Sequence, residues 1–294
     1  MQKGPVTPKG FGDVMPEEAK KRRLMINVVV PILEKYGFVP LETPTVEFAE
    51  TLLGKYGEDE KLVYTFEDKG GRKLALRYDL TVPLARFIAN NLGLLKPTFS
   101  RYQIGQSFRA DNPQRGRRRE FTQFDFDTVG TNDYKEDVKV IVAAVEGARA
   151  LGLNEAYIQI NDRGIFDKLG ITKDQIRTID KIDKIGKEEV EKVVGKDLLD
   201  KLINEAKSER LTQIFAELEK SGLKEGTDFS FNPYLARGLD YYNSTVFELK
   251  LNKTEKLTIG AGGRYDNLIG MFAGRDIPAV GFSFGIDRII DLLP

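Results

Sequence analysis

The sequence predicts an α+β protein in which an antiparallel β-sheet is flanked by helices and interrupted by a helical insertion. Strand-like segments dominate both ends of the chain, whereas the middle is rich in lysine and glutamate at helical spacing. The order is not the alternating βαβ of a Rossmann fold, and neither a Walker A motif nor a G-x-G-x-x-G fingerprint occurs. We therefore divide the chain into a main domain, first part (1–161), a helical insertion (162–225) and a main domain, second part (226–294).

The first part of the chain is predicted to begin with a helix over Met15–Tyr36. Pro16 suits a first helical turn, apolar residues recur at helical spacing, and Gly37 is a suitable stop. The elements predicted after it are an edge strand over Phe38–Val46, a hairpin over Leu62–Glu67 and Lys73–Asp79, a helix with Thr81 as a plausible N-cap, paired strands over Arg101–Arg109 and Glu120–Val129, a helix over Tyr134–Leu151, and a strand over Ala156–Ile160.

The part after the insertion is predicted to return to strands. They cover Tyr242–Leu251, Glu255–Ile259 and Val280–Phe284, and a helix over Gly285–Leu293 follows. The glycine cluster GAGG, at 260–263, is too short to indicate a nucleotide site, so we expect only a turn there.

Composition limits the chemistry. Lys+Arg and Asp+Glu balance at 45 each, so an anion site must be a local cluster. The 294 residues include no Cys and no His, which excludes disulfides, Ser-His-Asp triads and the usual zinc sites. What is left suits phosphoryl or nucleotidyl transfer, which depends on positioning and charge. No apolar run approaches a membrane span and no signal-peptide core is present, so we expect a cytoplasmic protein.

A polar row is predicted on the strand over Glu120–Val129. Side chains alternate along a strand, so Phe121, Gln123, Asp125 and Asp127 share one face, and Phe124 and Phe126 lie on the other, in the core. The strands over 101–109 and 73–81 carry similar rows. Such rows face water in most antiparallel sheets, and this alternative stays open.

Three arginines are far apart in the sequence, and each lies next to an apolar segment predicted to be a strand or a helix: Arg109, Arg237 and Arg288. Arginines in such places are usually either paired with carboxylates or gathered around a phosphate-rich ligand.

Several motifs together resemble class II aminoacyl-tRNA synthetases, and among them the histidyl-tRNA synthetase family. The three class motifs are similar to VPLETPTVE at 39–47, FRADNPQRGRRREFTQFDFD at 108–127 and AVGFSFGIDRII at 279–290. ARGLDYYNSTVFEL at 236–249 resembles the family's histidine signature, and LRYDLTVPLAR at 76–86 and GGRYDNL at 262–268 also look like it. The resemblance covers nearly the whole chain.

The resemblance implies a role for each matching residue. Arg109 and Arg237 would be catalytic, acting at the ATP α-phosphate. The residues implied in ATP binding are Arg109, Asp111, Arg117, Phe121 and Arg288. The residues implied in histidine binding are Asp79, Thr81, Gln123, Asp127, Arg237, Tyr241 and Tyr242. Thr81 could be a helix cap only, Tyr241 could be core, and Asp125 is not assigned.

The implied activity is that of a histidine–tRNA ligase. ATP would activate L-histidine as an adenylate with Mg²⁺ as cofactor and no protein metal ligand assigned, and the histidyl group would pass to the acceptor end of histidine tRNA. Pro44, in motif one, implies a homodimer. The family's anticodon-binding domain has no counterpart before Pro294, so we expect an isolated catalytic core. Two alternatives stay open. One is the regulatory subunit of ATP phosphoribosyltransferase, a paralogue that tends to lose the ATP-contacting arginines, and the other is a pseudo-synthetase that binds tRNA without activity.

Overall fold

The computed structural model describes residues 6–113, 118–238, 241–254 and 257–292. Among these residues, eight strands form the main sheet and three form a smaller one. The strands are β1 (Val39–Pro40), β2 (Val46–Phe48), β3 (Thr65–Glu67), β4 (Lys73–Leu76), β5 (Phe99–Phe108), β6 (Glu120–Val129), β7 (Tyr157–Asp162), β8 (Phe229–Phe231), β9 (Thr245–Lys250), β10 (Thr258–Arg264) and β11 (Ala279–Gly285). The main sheet has the order β1-β5-β6-β11-β10-β9-β7-β8, and the smaller one β2-β4-β3.

The helices lie around these sheets. They are α1 (Pro16–Lys35), α2 (Ala49–Leu52), α3 (Thr81–Asn91), α4 (Tyr134–Ala150), α5 (Gly164–Lys168), α6 (Lys173–Ile179), α7 (Ile182–Ile185), α8 (Lys187–Val194), α9 (Lys196–Ile203), α10 (Glu209–Lys220), α11 (Gly270–Ala273) and α12 (Ile286–Ile290), with a 3-10 helix at Gly57–Leu62. One face of the main sheet forms a large core with α1 and α4, in which Met25 and Val29 pack with Phe124, Phe126 and Ile141. The opposite face is therefore left for a site.

The predicted α+β fold is confirmed, and the sheet proves to be mixed at its edges. From β5 to β7 the neighbouring strands pair antiparallel, but β1 pairs parallel to β5 and β8 parallel to β7. A parallel pair needs a long crossover connection, and the six helices α5–α10 between β7 and β8 provide one. These helices lie within the predicted insertion, whose boundaries (162–225) stay a prediction.

The hairpin of β5 and β6 follows its prediction closely. Its register pairs Phe99 with Val129 and Phe108 with Glu120, without a bulge. The backbone N–H of Arg109 donates to the carbonyl of Arg119 at 2.9 Å, which closes the mouth of the hairpin. Regular pairing over ten residues preserves the alternation of faces on which the site depends.

The prediction of a turn at GAGG is wrong, because these glycines lie inside β10. Space explains their presence in a strand. A Cβ at Gly262 would lie 2.0 Å from the carbonyl oxygen of Gly281, and one at Gly260 would lie 2.4 Å from the ring of Phe282. Only glycine lets β10 approach β11 and its aromatic side chains this closely.

Candidate active site

A cavity of about 530 Å³ opens on the sheet face opposite the helical core. Residues of β6, β10 and β11 line it, together with Arg109 after β5, the segments before α3 and β9 and the start of α12. The predicted site residues among its lining are Asp79, Thr81, Arg109, Asp111, Phe121, Gln123, Asp127, Arg237, Tyr241, Tyr242 and Arg288. Arg117, the remaining predicted site residue, lies outside the described residues.

The polar row of β6 faces this cavity. Phe121, Gln123, Asp125 and Asp127 all line it. Asp125 and Asp127 are each only 3% exposed, so the alternative of a water-facing row does not hold at this end of the strand. Because side chains alternate along this regular strand, one face of β6 presents an aromatic ring, an amide and two buried carboxylates to the cavity.

Asp127 is held by partners on two neighbouring strands. Its Oδ2 forms an ion pair with Nη2 of the fully buried Arg101 at 2.8 Å, and its Oδ1 accepts a 2.5 Å hydrogen bond from the Tyr265 hydroxyl. Burial raises the pKa of Asp127 and Arg101 opposes the shift. Gly281 lies opposite, where a Cβ would stand 1.8 Å from Oδ1. The carboxylate is therefore fixed in one position.

Asp125 is a buried carboxylate with one oxygen, Oδ1, that has no hydrogen-bond partner. Burial raises its pKa to about 7, with Arg101 opposing the shift and Asp127 adding to it. Asp125 was not assigned from the sequence, and the structure places it in the cavity lining.

Asp79 joins the start of α3 to the cavity. Its Oδ1 accepts from the Tyr56 hydroxyl at 3.1 Å and from the backbone N–H groups of Thr81 and Val82 at 3.1 and 3.0 Å. Its Oδ2 accepts from the Tyr241 hydroxyl at 3.4 Å. Burial raises the pKa of Asp79. We call Asp79, Asp125 and Asp127 the carboxylate cluster.

Two expectations about this segment are wrong. The N-cap position of α3 is Leu80 rather than Thr81, and the Asp79 carboxylate binds the free N–H groups there. In addition, β4 ends at Leu76, so the predicted polar row over 77–81 does not exist. Arg77 turns away to donate to the carbonyls of Thr43 and Gln106, at 2.8 and 2.6 Å.

Gln123 is oriented by two serines. Its Oε1 accepts from the Ser107 hydroxyl at 2.5 Å, and its Nε2 donates to Ser283 Oγ at 3.3 Å. Because the amide has acceptor capacity left on Oε1 and a second N–H on Nε2, it can still bind a ligand.

Arg109 lies between two aromatic rings. Its Cζ is 4.2 Å from the Tyr78 ring centroid and 4.9 Å from that of Phe121, and its Nε donates to the Tyr78 carbonyl at 3.2 Å. Aromatic faces attract a guanidinium without consuming its other N–H groups. The guanidinium of Arg109 is thus held in one orientation and keeps N–H donors that can bind an anion.

Arg237 lies in the left-handed region, with a φ of 59°. Its Nη1 is 3.8 Å from Oε1 of Glu248, and its guanidinium is 5.8 Å from the Tyr242 ring centroid. Burial raises the pKa of Tyr242, whereas Arg237 lowers it. Tyr241 packs its ring against Tyr242 and, because it also lines the cavity, is not solely a core residue.

Arg288 and Asp111 complete the lining. Arg288, in the short helix α12, donates from Nη1 to the Thr258 carbonyl at 2.9 Å. The carbonyl of Asp111 accepts from Nε of Arg119 at 2.9 Å, which fixes this part of the chain beside the hairpin mouth. We call Arg109, Arg237 and Arg288 the arginine cluster; each is partly exposed, in contrast to the carboxylates.

Tyr78, Tyr265 and Ser283 are among the lining residues that the sequence analysis did not assign to the site. Tyr265 belongs to GGRYDNL, which resembles the family, but nothing in its local pattern indicates a contact with Asp127. The pairing of β6 with β11 and the position of β10 beside it bring these groups together. A single sequence does not give those pairings.

The fold and the site define a class of protein. A mainly antiparallel sheet that contains the paired strands β5 and β6, with arginines from distant segments in one cavity beside it, is the catalytic architecture of class II aminoacyl-tRNA synthetases. Within the described residues no helix is long and apolar enough to cross a membrane.

Comparison with known proteins identifies the family. The model of the histidyl-tRNA synthetase family matches residues 10–182 and 170–289. The histidine–tRNA ligase of Aeropyrum pernix is 41% identical over 98% of this chain and 74% of its own length, and that of Borreliella afzelii 37% over 98% and 72%. The crystal structure of histidyl-tRNA synthetase from Nostoc sp. PCC 7120 superposes with a TM-score of 0.84 at 29% identity, covering 99% of this chain and 75% of that one.

The chain belongs to the histidyl-tRNA synthetase family. The predicted resemblance is confirmed, and with it the expectation of an aminoacyl-tRNA synthetase enzyme. The alternative of a phosphoribosyltransferase regulatory subunit is not favoured, because the curated relatives above carry ligase names.

Proposed function

We propose that this cavity condenses L-histidine with ATP to histidyl-adenylate and transfers the histidyl group to the 3′ end of histidine tRNA. One observation carries the proposal: three partly exposed arginines from segments far apart in sequence line the same cavity as three buried carboxylates. Arginines suit phosphates, and carboxylates suit a cationic amino acid.

Histidine would bind with its polar groups on the carboxylate side. Asp79, Thr81 and Gln123 would hold the α-ammonium group, for which Oδ2 of Asp79 keeps acceptor capacity beyond its long contact with Tyr241. Asp127 and Tyr242 would bind the imidazole nitrogens, with Tyr265 and Arg101 keeping Asp127 in place. A side chain without two ring nitrogens would leave these buried groups unpaired and be rejected.

ATP would bind on the arginine side. Phe121 and Asp111 would hold the adenine, Arg109 the α-phosphate, and Arg288 and Arg117 the γ-phosphate. The support is that Arg109 and Arg288 line the same cavity and are each oriented by a hydrogen bond to a backbone carbonyl. The guanidinium of Arg109 has further N–H donors for a phosphate.

The activation step needs no side-chain base. A carboxylate oxygen of histidine would attack the α-phosphorus in line, a new O–P bond would form, and the bond to the β-phosphate oxygen would break to release pyrophosphate. Arg109 and Arg237 would stabilise the charge that grows on the α-phosphoryl oxygens. This agrees with a chain that contains no His.

Magnesium would enter with the nucleotide. Mg²⁺ keeps most of its ligands from waters and phosphates and usually takes only one or two protein carboxylates. Among the described residues no group of three or more acidic side chains is arranged to hold a metal. The ion would neutralise charge on the triphosphate, and we assign it no protein ligand.

A homodimer in the cytoplasm is the expected working form. A groove between α1 and β1 combines apolar side chains, among them Val30, Pro40 and Leu41, with polar ones such as Asn27 and Glu42, and is a suitable surface for a second copy. β1 lies at the edge of the main sheet, and Val39 on it is 46% exposed. Sedimentation tests this: a dimer is expected, and a clean monomer would contradict it.

Pyrophosphate exchange tests the function. Purified protein is incubated with ATP, labelled pyrophosphate and one amino acid at a time. Label should enter ATP only with histidine, because only histidine satisfies the buried acceptors. Exchange with another amino acid, or none with histidine, would refute the proposal.

A further inference from the structure

The helical segment α5–α10 touches the active site at Arg237. Asp180, which follows α6 at its C-cap position, lies beside the backbone of 237–238, and a Cβ on Gly238 would stand 3.3 Å from its Oδ2. Asp180 is exposed as a residue, but its carboxyl is turned towards 237–238. Desolvation there raises the pKa of the carboxyl, and the guanidinium and backbone amide of Arg237 oppose that shift. A carboxylate from the helical segment thus interacts with an arginine of the cavity.

Arg237 needs such support because of its conformation. It is the one residue other than glycine with a positive φ in the part of the chain that the structure describes. A bulky side chain is unfavourable there, so the surroundings must hold it. Its carbonyl accepts from Nη1 of Arg163, at the start of α5, at 3.3 Å. Both the amide and the carbonyl side of Arg237 therefore face groups next to α5 or α6.

A second link runs through the side chains of β9. Nζ of Lys250, which is 6% exposed, lies 3.4 Å from Oδ2 of Asp183 in α7 and 3.9 Å from Oε2 of Glu248. Oε1 of Glu248 accepts from the Thr258 hydroxyl at 2.7 Å and lies 3.8 Å from Nη1 of Arg237. Charge alternates along the chain Asp183, Lys250, Glu248, Arg237, so each group favours the position of the next.

We propose that the helical segment positions Arg237 for the activation step, through Asp180 directly and through Asp183, Lys250 and Glu248. The inference rests on the proposed function, in which Arg237 meets the α-phosphate. Asp180 is a positioning residue, because it contacts Arg237 and does not line the cavity. The rate of the activation step would thereby depend on the position of the helical segment against the main sheet.

The test is pyrophosphate exchange by Asp180→Asn in the full chain. Removing the charge should lower kcat about tenfold and leave KM for ATP and histidine within about twofold, because Arg237 acts in the transition state. Asp180→Glu should recover part of the rate. The matched control is Asp174→Asn, an exposed acid at the other end of α6 that pairs with Arg177; it should exchange normally. Thermal unfolding checks that each variant is folded.

A double mutant separates this inference from a general structural effect. In an Arg237→Ala background, measured with enzyme in excess, Asp180→Asn should cause no further loss of rate. An equal further loss, a normal rate in the single variant, or a change confined to KM would overturn the inference. Should Asp180→Asn fail to fold, Asp183→Asn, at an exposed position, tests the second link with the same expected direction. Absence of exchange in the unmutated protein would instead refute the proposed function.

Discussion

The carboxylate cluster and the arginine cluster share one cavity but are held very differently. Asp79 accepts from four donors, and Asp127 has both an arginine and a tyrosine hydroxyl as partners. Arg109 donates to the Tyr78 carbonyl and lies between two aromatic rings, and Arg288 donates to the Thr258 carbonyl. Asp79 and Asp127 are thus held before any ligand arrives, whereas Arg109, held by one carbonyl and two ring faces, has N–H groups left for one.

This difference suggests a division of tasks. A fixed, buried set of acceptors can discriminate between amino acids, because a wrong ligand leaves its remaining acceptor capacity, such as that of Asp125 Oδ1, unsatisfied. A guanidinium aimed at a phosphate can strengthen its hydrogen bonds as charge grows on the phosphoryl oxygens in the transition state. Substitutions in the carboxylate cluster or its partners should therefore change histidine binding and stability, and substitutions in the arginine cluster should change ATP binding and rate.

The largest effect is expected for Arg109→Ala. Loss of a donor aimed at the α-phosphate should lower the histidine-dependent exchange rate by about 10³-fold. Folding should be intact because Arg109 is partly exposed. Arg72→Ala, at an exposed arginine of the β3–β4 turn paired with Asp68, is the control and should exchange normally. Near-normal turnover by Arg109→Ala would contradict the role of the arginine cluster in the activation step.

Arg101→Met should destabilise the fold at the carboxylate cluster. It removes the cation that pairs with the buried Asp127, so the free energy of unfolding should fall by about 3–5 kcal/mol. Urea unfolding monitored by circular dichroism measures this. The same measurement on Arg109→Ala should show a change of less than about 1 kcal/mol. Equal losses in the two variants would contradict the difference between the clusters.

Some features of the two clusters could be predicted from the sequence and others could not. The polar face of β6 followed from alternation, and the regular pairing with β5 confirmed it, because that information is local. The glycines of β10 were misread as a turn, because their reason lies in β11, 20 residues away in the chain (Gly262 against Phe282). Arg101, Tyr265 and Ser283 were not recognised as partners of the row for the same cause: strand order is non-local.

Asp125 should make stability depend on pH. Its pKa in the folded state, about 7, lies above the ordinary value of 3.8, so between those pH values the folded state binds more protons than the unfolded state. The free energy of unfolding should therefore fall as pH rises from about 4 to 7, and Asp125→Asn should remove this part of the dependence. Urea unfolding of both proteins across this range tests it. Parallel curves for the two proteins would contradict a raised pKa at Asp125.

Tyr265→Phe should have the smallest effect. It removes one hydrogen bond to Asp127 and leaves the Arg101 ion pair. Loss of a bond to a charged acceptor should raise KM for histidine about tenfold and leave KM for ATP within about twofold. Tyr36→Phe, whose hydroxyl donates to Glu146 on the opposite side of the core, is the control and should be normal. A larger change in KM for ATP than for histidine would contradict the assignment of Tyr265 to the histidine-binding side of the cavity.

Titration of histidine into ATP-free Arg288→Ala, followed by calorimetry, tests the division of tasks most directly. If the carboxylate cluster binds histidine without help from the arginine cluster, Kd for histidine should stay within about twofold of the unmutated protein, although KM for ATP in the exchange assay rises about tenfold or more. A loss of histidine affinity as large as the change in KM for ATP would show that the two clusters act as one site and would contradict the account.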